Sequence, residues 1–138
     1  MYNRNKYMDV LDEYKERKIN DAGVAFFDLN GLKMINDKKG HKAGDTYICL
    51  AAGTFIKKFP ENAYRIGGDE FVIIMPDVNK AVFECEVHKL QEEMQKKGVS
   101  ISMGYLWRKS VDDMVDMLNE ADRLMYEEKK HYYQSNKA

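Results

Sequence analysis

Ala63-Tyr64-Arg65-Ile66-Gly67-Gly68-Asp69-Glu70-Phe71-Val72-Ile73-Ile74-Met75 is the stretch from which the fold can be read. Two apolar runs of strand length, 63–66 and 71–75, are joined by four residues, which is the pattern of a β-hairpin. Gly67 and Gly68 at the tip let the backbone turn through positive φ and leave no side chain where a ligand would pack. Upstream, Val24-Ala25-Phe26-Phe27-Asp28-Leu29 is a continuous apolar run ending near an acid, which predicts a central strand buried on both faces. Asn20-Asp21-Ala22-Gly23 before it reads as a turn, and Asn30-Gly31 after it as a break. Downstream, residues 99–105 alternate apolar and polar positions, the mark of a half-buried strand.

Helices fill the intervals. Tyr7, Val10, Leu11 and Tyr14 predict an amphipathic helix over about the first 17 residues, and residues 32–38 a short one. Residues 40–44 read as a loop. Ile48, Ala51, Ala52, Phe55 and Phe59 mark a longer helix that Pro60 stops. Another spans about 80–96 with Gly98 as its cap, and Val111, Met114, Val115, Leu118, Ala121 and Met125 mark the last. The tail from Gln134 is expected to fray. The order predicts an α+β fold: a ferredoxin-like βαββαβ core with a central, mostly antiparallel sheet flanked by helices.

Composition narrows the function. The 138 residues carry a net charge of −1, so no global basic field gathers nucleic acid, and no RNP-like aromatic motif stands on the strands. No apolar run approaches the ~18 residues of a membrane span. Apolar residues at 44% are enough for one sizeable core. Cys49 and Cys85 lie far apart in helical segments without CxxC spacing, and are expected as buried or half-buried free thiols in a reducing cytoplasm. Trp107 and Tyr105 read as packing residues, and the nine methionines mostly as core filler.

Three acids carry the chemistry. Asp69 and Glu70 are adjacent carboxylates, which repel unless a cation relieves them; Gly67-Gly68-Asp69-Glu70 also suits a plain exposed turn. Asp28 ends the central strand, where packing alone explains an acid poorly. In a βαββαβ sheet it converges with the hairpin, giving an oxygen-rich group of the kind Mg²⁺ prefers. Asp28 equally suits capping the short helix that follows. Asn36 and Asp45 flank a loop and can read guanine: a carboxylate accepts from N1–H and N2–H₂, and an amide both donates and accepts. Asp45 also suits an N-cap.

In order and spacing, residues 27–33, 35–37, Gly40-His41, Gly44-Asp45 and 65–71 resemble the blocks of the GGDEF-domain diguanylate cyclase family. Ser102-Met103-Gly104, the Ala121-Asp122 to Lys129 stretch and Tyr2-Asn3-Arg4 match its remaining blocks, so the resemblance covers nearly the whole chain. It implies a nucleotide cyclase-like domain that condenses two GTP into cyclic di-GMP and two pyrophosphates, as a homodimer, with two Mg²⁺ or Mn²⁺ per active site. By position Asp28 and Asp69 would be metal ligands with the Leu29 carbonyl assisting, Glu70 would aid metal binding or activate the attacking hydroxyl, Asn36 and Asp45 would hold guanine, and Lys33 and Lys129 would contact the β- and γ-phosphates. Gly67 and Gly68 would admit the substrate. Lys33 and Lys129 also suit solvated helix faces.

Three features depart from the family pattern. Asn30 stands where a second acid is frequent, which lowers the negative charge near the metals. Lys58 and Glu61 stand where the inhibitory product site has Arg-x-x-Asp, and lysine lacks the planar fork that pairs with guanine edges. Tyr133 stands where a phosphate-binding arginine is usual. The resemblance further implies one catalytic domain over residues 1–138, excised from a longer signalling protein with a sensor or dimerising segment. It would be cytoplasmic, with a parent that can be membrane-anchored. The contrasting expectation is a degenerate GTP-binding regulatory module without turnover.

Overall fold

In the computed structural model, which describes residues 1–15 and 17–135, the chain begins with helix α1 (Arg4–Tyr14) and strand β1 (Ile19–Leu29). Helices α2 (Leu32–Lys39) and α3 (His41–Lys58) follow, then strands β2 (Ala63–Arg65) and β3 (Glu70–Met75). Helix α4 (Lys80–Lys96), strand β4 (Ile101–Val111) and helix α5 (Met114–Ser135) complete it. The sheet order is β2-β3-β1-β4 with antiparallel pairing throughout, so the expected α+β, ferredoxin-like arrangement is present. Of the two hairpin strands, only β3 borders β1.

The period of two along β1 sorts its side chains onto two faces. Ala25, Phe27 and Leu29 face α3 and α4, where Phe55 stacks on Phe71 at 4.5 Å and meets Phe27 edge-on at 5.1 Å. Val24 and Phe26 face α1 and α5. Asp28 is on this second side, opposite Glu70 of β3 and Ser102 of β4. Each fully buried phenylalanine contributes about 1.5–3 kcal/mol over exposure, so the aromatic cluster is a main anchor of α3 on the sheet.

Gly104 sets the position of α5. A Cβ there would lie 2.2 Å from both the Ala121 carbonyl oxygen and the Met125 amide nitrogen, so the helix backbone rests directly on β4. Lys129, one turn beyond Met125, is thereby carried over the end of β1.

Several expectations need correction. Residues 20–23 are not a turn: β1 already begins at Ile19, because β4 is also longer than expected and pairs Ile19 with Val111 and Ala22 with Arg108. Asp21 keeps a turn-like backbone, φ 53°, within that ladder. Residues 40–44 are not a loop. Gly40 alone, at φ 88°, separates α2 from α3, since Gly44 lies inside α3 and lets Asn36 pack against it. Gly67 and Gly68 turn the hairpin without positive φ; Arg65 instead holds their carbonyls, donating from Nε to Gly67 at 3.3 Å and from Nη2 to Gly68 at 2.8 Å. Cys49 and Cys85 are both exposed, one lying between the inward positions 47 and 51 of α3, the other between 83 and 87 of α4. Helix α1 ends at Tyr14, and α5 runs to Ser135; Glu16 and residues 136–138, the greater part of the tail expected to fray, lie outside the described residues.

Candidate active site

At the C-terminal end of β1 a cleft of about 540 Å³ opens between α2, the β2–β3 hairpin and α5. Asp28, Leu29, Asp69 and Glu70 line one wall, Lys33 and Asn36 the second, and Lys129 and Tyr133 the third. Leu32, Asp37 and His41 complete it. The sequence therefore brought Asp28, Leu29, Asp69, Glu70, Lys33, Asn36 and Lys129 to one place. Asp45 is exposed on the first turns of α3 and, with Gly67 and Gly68, lies outside the cleft lining. It neighbours Gly44, where an added Cβ would come within 1.7 Å of Asn36 Oδ1. Asn36 and Asp45 thus sit across a helix–helix junction rather than a loop.

The carboxylates are held by backbone pairing. Asp28 and Glu70 are register partners in the antiparallel β1–β3 ladder, and Leu29 N–H donates to the Asp69 carbonyl at 3.0 Å. The Ile66 carbonyl accepts from Arg4 Nη1 at 2.9 Å, and Ile66 N–H donates to the Glu70 carbonyl at 3.0 Å. With Arg65 on the two glycine carbonyls, the hairpin tip is fixed by polar contacts along its length.

Asp28 is the unusual group. It is 9% exposed, and its Oδ1 is buried with no hydrogen-bond partner among the described residues. Its Oδ2 receives Lys129 Nζ at 3.0 Å, and the same ammonium donates to the Leu29 carbonyl at 3.1 Å. Burial pushes the Asp28 pKa up to about 6; the negative charges of Asp69 and Glu70 push the same way, and Lys129 opposes them.

The donor set suits Mg²⁺ or Mn²⁺: hard carboxylate and carbonyl oxygens, one of them an orphaned buried carboxylate oxygen. Among the described residues no three metal-binding side chains are gathered into a ready-made cage, and the Lys129 ammonium sits on Asp28 Oδ2 and the Leu29 carbonyl.

Asn30 does not line the cleft. Its side chain is 3% exposed and turned inward, donating from Nδ2 to Ser100 Oγ at 3.1 Å and accepting from Ser102 Oγ at 2.8 Å. Ser102 is also the register partner of Asp28, so this neutral amide lies on the Asp28 side of the sheet and is committed to hydrogen bonds with β4. The Tyr47 hydroxyl donates to the Asn30 carbonyl at 2.9 Å and accepts from Ser100 N–H at 2.8 Å, tying β1, α3 and the start of β4 together. Sequence reasoning missed this network, and missed Leu32 and Asp37 as lining residues. The 3.6-residue period from Lys33 to Asp37 was the only available signal for the latter.

A family model described as "Diguanylate cyclase, GGDEF domain" matches residues 1–135. The chain is 32% identical over 138 residues to the diguanylate cyclase DgcS of Shewanella oneidensis, covering 92% of this chain and 46% of that protein. It is 34% identical over 117 residues to the signaling protein YkoW of Bacillus subtilis, covering 75% of this chain and 14% of that protein. The chain thus spans less than half of either relative. Its fold is similar to the crystal structure of the GGDEF domain of DgcB from Caulobacter crescentus in complex with c-di-GMP, with TM-score 0.80, 24% identity, and 94% of this chain and 85% of that one covered.

Proposed function

The chain belongs to the diguanylate cyclase GGDEF-domain family, and on that premise we propose that it condenses two GTP into cyclic di-GMP with release of two pyrophosphates. The observation that carries this reading is the buried, partnerless Asp28 Oδ1 on the wall that also bears Asp69 and Glu70. Such an oxygen is costly unless a ligand uses it. Two Mg²⁺ or Mn²⁺ ions held by Asp28, the Leu29 carbonyl, Asp69 and Glu70 would polarise the α-phosphate and the attacking oxygen.

The remaining work falls to the chain's own groups. Asn36, with Asp45 beside it, reads the guanine edge; the carboxylate favours guanine, which presents paired donors, over adenine. Lys33 and Lys129 bind the β- and γ-phosphates, so each substrate is oriented from base to tail. The 3′-hydroxyl oxygen of one GTP bonds to the α-phosphorus of the other as the bond to the bridging oxygen of pyrophosphate breaks. Glu70 takes the hydroxyl proton. One domain holds one GTP, so two copies of the chain face each other, and the reaction occurs twice per product. The domain works as part of a longer signalling protein, cytoplasmic in this part; among the described residues no helix is long and apolar enough to cross a membrane.

The test fuses the domain to a constitutive dimeriser, supplies GTP with Mg²⁺, and separates the products by chromatography. Cyclic di-GMP that disappears with Glu70→Ala is the expected result. Tight GTP binding without product would overturn the catalytic reading in favour of a regulatory GTP-binding module. Comparable mixed products from ATP with GTP would overturn the base assignment.

A further inference from the structure

Lys129 occupies a position that the proposed chemistry needs for something else. Its ammonium contacts the Leu29 carbonyl at 3.1 Å, an oxygen assigned above to a divalent ion, and Asp28 Oδ2 at 3.0 Å, on the same carboxylate as the orphaned Oδ1 that carries the metal assignment. An ion on those oxygens would bind at about 2.1 Å, inside the contact sphere of the ammonium. Both cations cannot be held there together. We infer that Lys129 fills the cation seat of the empty site, so that divalent metal enters together with the phosphates of the nucleotide rather than ahead of them. This rests on the metal assignments of the proposed function and adds the order in which the ligands arrive.

Three observations support the seat. The ammonium is well shielded, with the Lys129 side chain 19% exposed and that of Asp28 13% exposed, so solvent screens the pair weakly. The Tyr133 ring, one helical turn on, has its centroid 5.6 Å from Lys129 Nζ, within cation–π range. An arginine at that position would repel the ammonium instead of attracting it, so the departure noted in the sequence favours this arrangement. Lys129 also lines the same cleft as Lys33. Phosphates arriving there offer the ammonium a new anionic partner within reach of its long side chain, while their metal takes over the oxygens it leaves.

An ion pair that only ties α5 to β1, away from the oxygens a metal uses, predicts unchanged or weaker Mn²⁺ binding once it is removed. The experiment measures Mn²⁺ binding to the full chain without nucleotide, by the electron paramagnetic resonance signal of free Mn²⁺, for wild type, Lys129→Met, Lys129→Gln and Tyr133→Leu. Circular dichroism checks folding. Removing a charge-assisted contact of this kind should tighten Mn²⁺ binding on the order of tenfold in Lys129→Met. Lys129→Gln should shift the same way, and Tyr133→Leu by less. Unchanged or weaker Mn²⁺ binding in folded Lys129 variants overturns the inference.

Wild type decides if the variants do not fold. With ¹⁵Nζ-labelled lysine, Mg²⁺ alone should leave the Lys129 resonance in place, and Mg²⁺ with a non-hydrolysable GTP analogue should move it. Displacement by Mg²⁺ alone overturns the inference. Mn²⁺ bound with the analogue but lost in Asp28→Asn would keep the metal assignment standing even where the Lys129 result is negative. No Mn²⁺ binding even with the analogue would overturn both.

Discussion

Asp28→Asn is expected to stabilise the metal-free domain while abolishing turnover. The Asp28 carboxyl is nearly shut off from water, and its pKa stands at about 6. Burial is the main cause, Asp69 and Glu70 add to it, and the Lys129 ammonium opposes it. An unfolded aspartate titrates at about 3.9. Below pH ~4 the group is protonated in both states, and its ionisation costs folding nothing. As pH rises from about 4 through 6 the unfolded chain releases its proton first, so folding stability falls; above pH ~6 the loss is constant. Two pKa units at 1.36 kcal/mol each set an upper bound of about 3 kcal/mol for the penalty. With 138 residues and an unfolding entropy of roughly 2.1 cal/mol/K per residue, that corresponds to a melting shift of about 5–10 °C. Thermal unfolding followed by circular dichroism in EDTA, from pH 4 to 8, reads it directly. The variant and wild type should melt together near pH 4, separate between pH 4 and 6, and stay apart above. A gap that does not vary with pH, or a variant that melts lower at pH 8, would refute the assignment of Asp28 as a strained, function-bearing carboxylate.

Two further substitutions probe the rest of the cleft. Gly44→Ala places a Cβ 1.7 Å from Asn36 Oδ1 and 2.8 Å from its Cγ, so the amide must turn away; losing one or two base contacts should raise the KM for GTP about tenfold or more with a smaller change in kcat. A fall in kcat at constant KM would contradict the guanine-reading role. At the position of the family's product site, Lys58 Nζ is committed to Glu86 at 3.4 Å, and calorimetry with cyclic di-GMP should show no tight binding there. Tight binding that disappears in Lys58→Ala would sink that expectation.

The parts legible in the sequence were those that burial or local chemistry dictates. Residues 24–29 read as a central strand and 71–75 as a hairpin strand, and the acid near the end of the first suited a ligand as well as a helix cap. The first half of β1 was illegible for a specific reason. Asn20 and Asp21 carry turn chemistry, but the ladder with β4 overrides it, since strand formation answers to cross-strand partners more than to propensity. The start of α3 was hidden similarly, because a glycine that reads as a loop marker, Gly44, is there to let Asn36 touch the helix. The Asp28–Lys129 pair spans 101 positions, and nothing local announces it. It exists because Gly104 lets the α5 backbone rest on β4, at a distance that brings Lys129 to the end of β1. Tyr133 shows the consequence most directly. Compared position by position it is a missing arginine and counts against phosphate binding. In the folded chain its ring lies beside the ammonium that neutralises Asp28. A substitution that looks like loss therefore bears on how Asp28 is paired before the site's ligands arrive, and the same two side chains decide whether metal can enter alone.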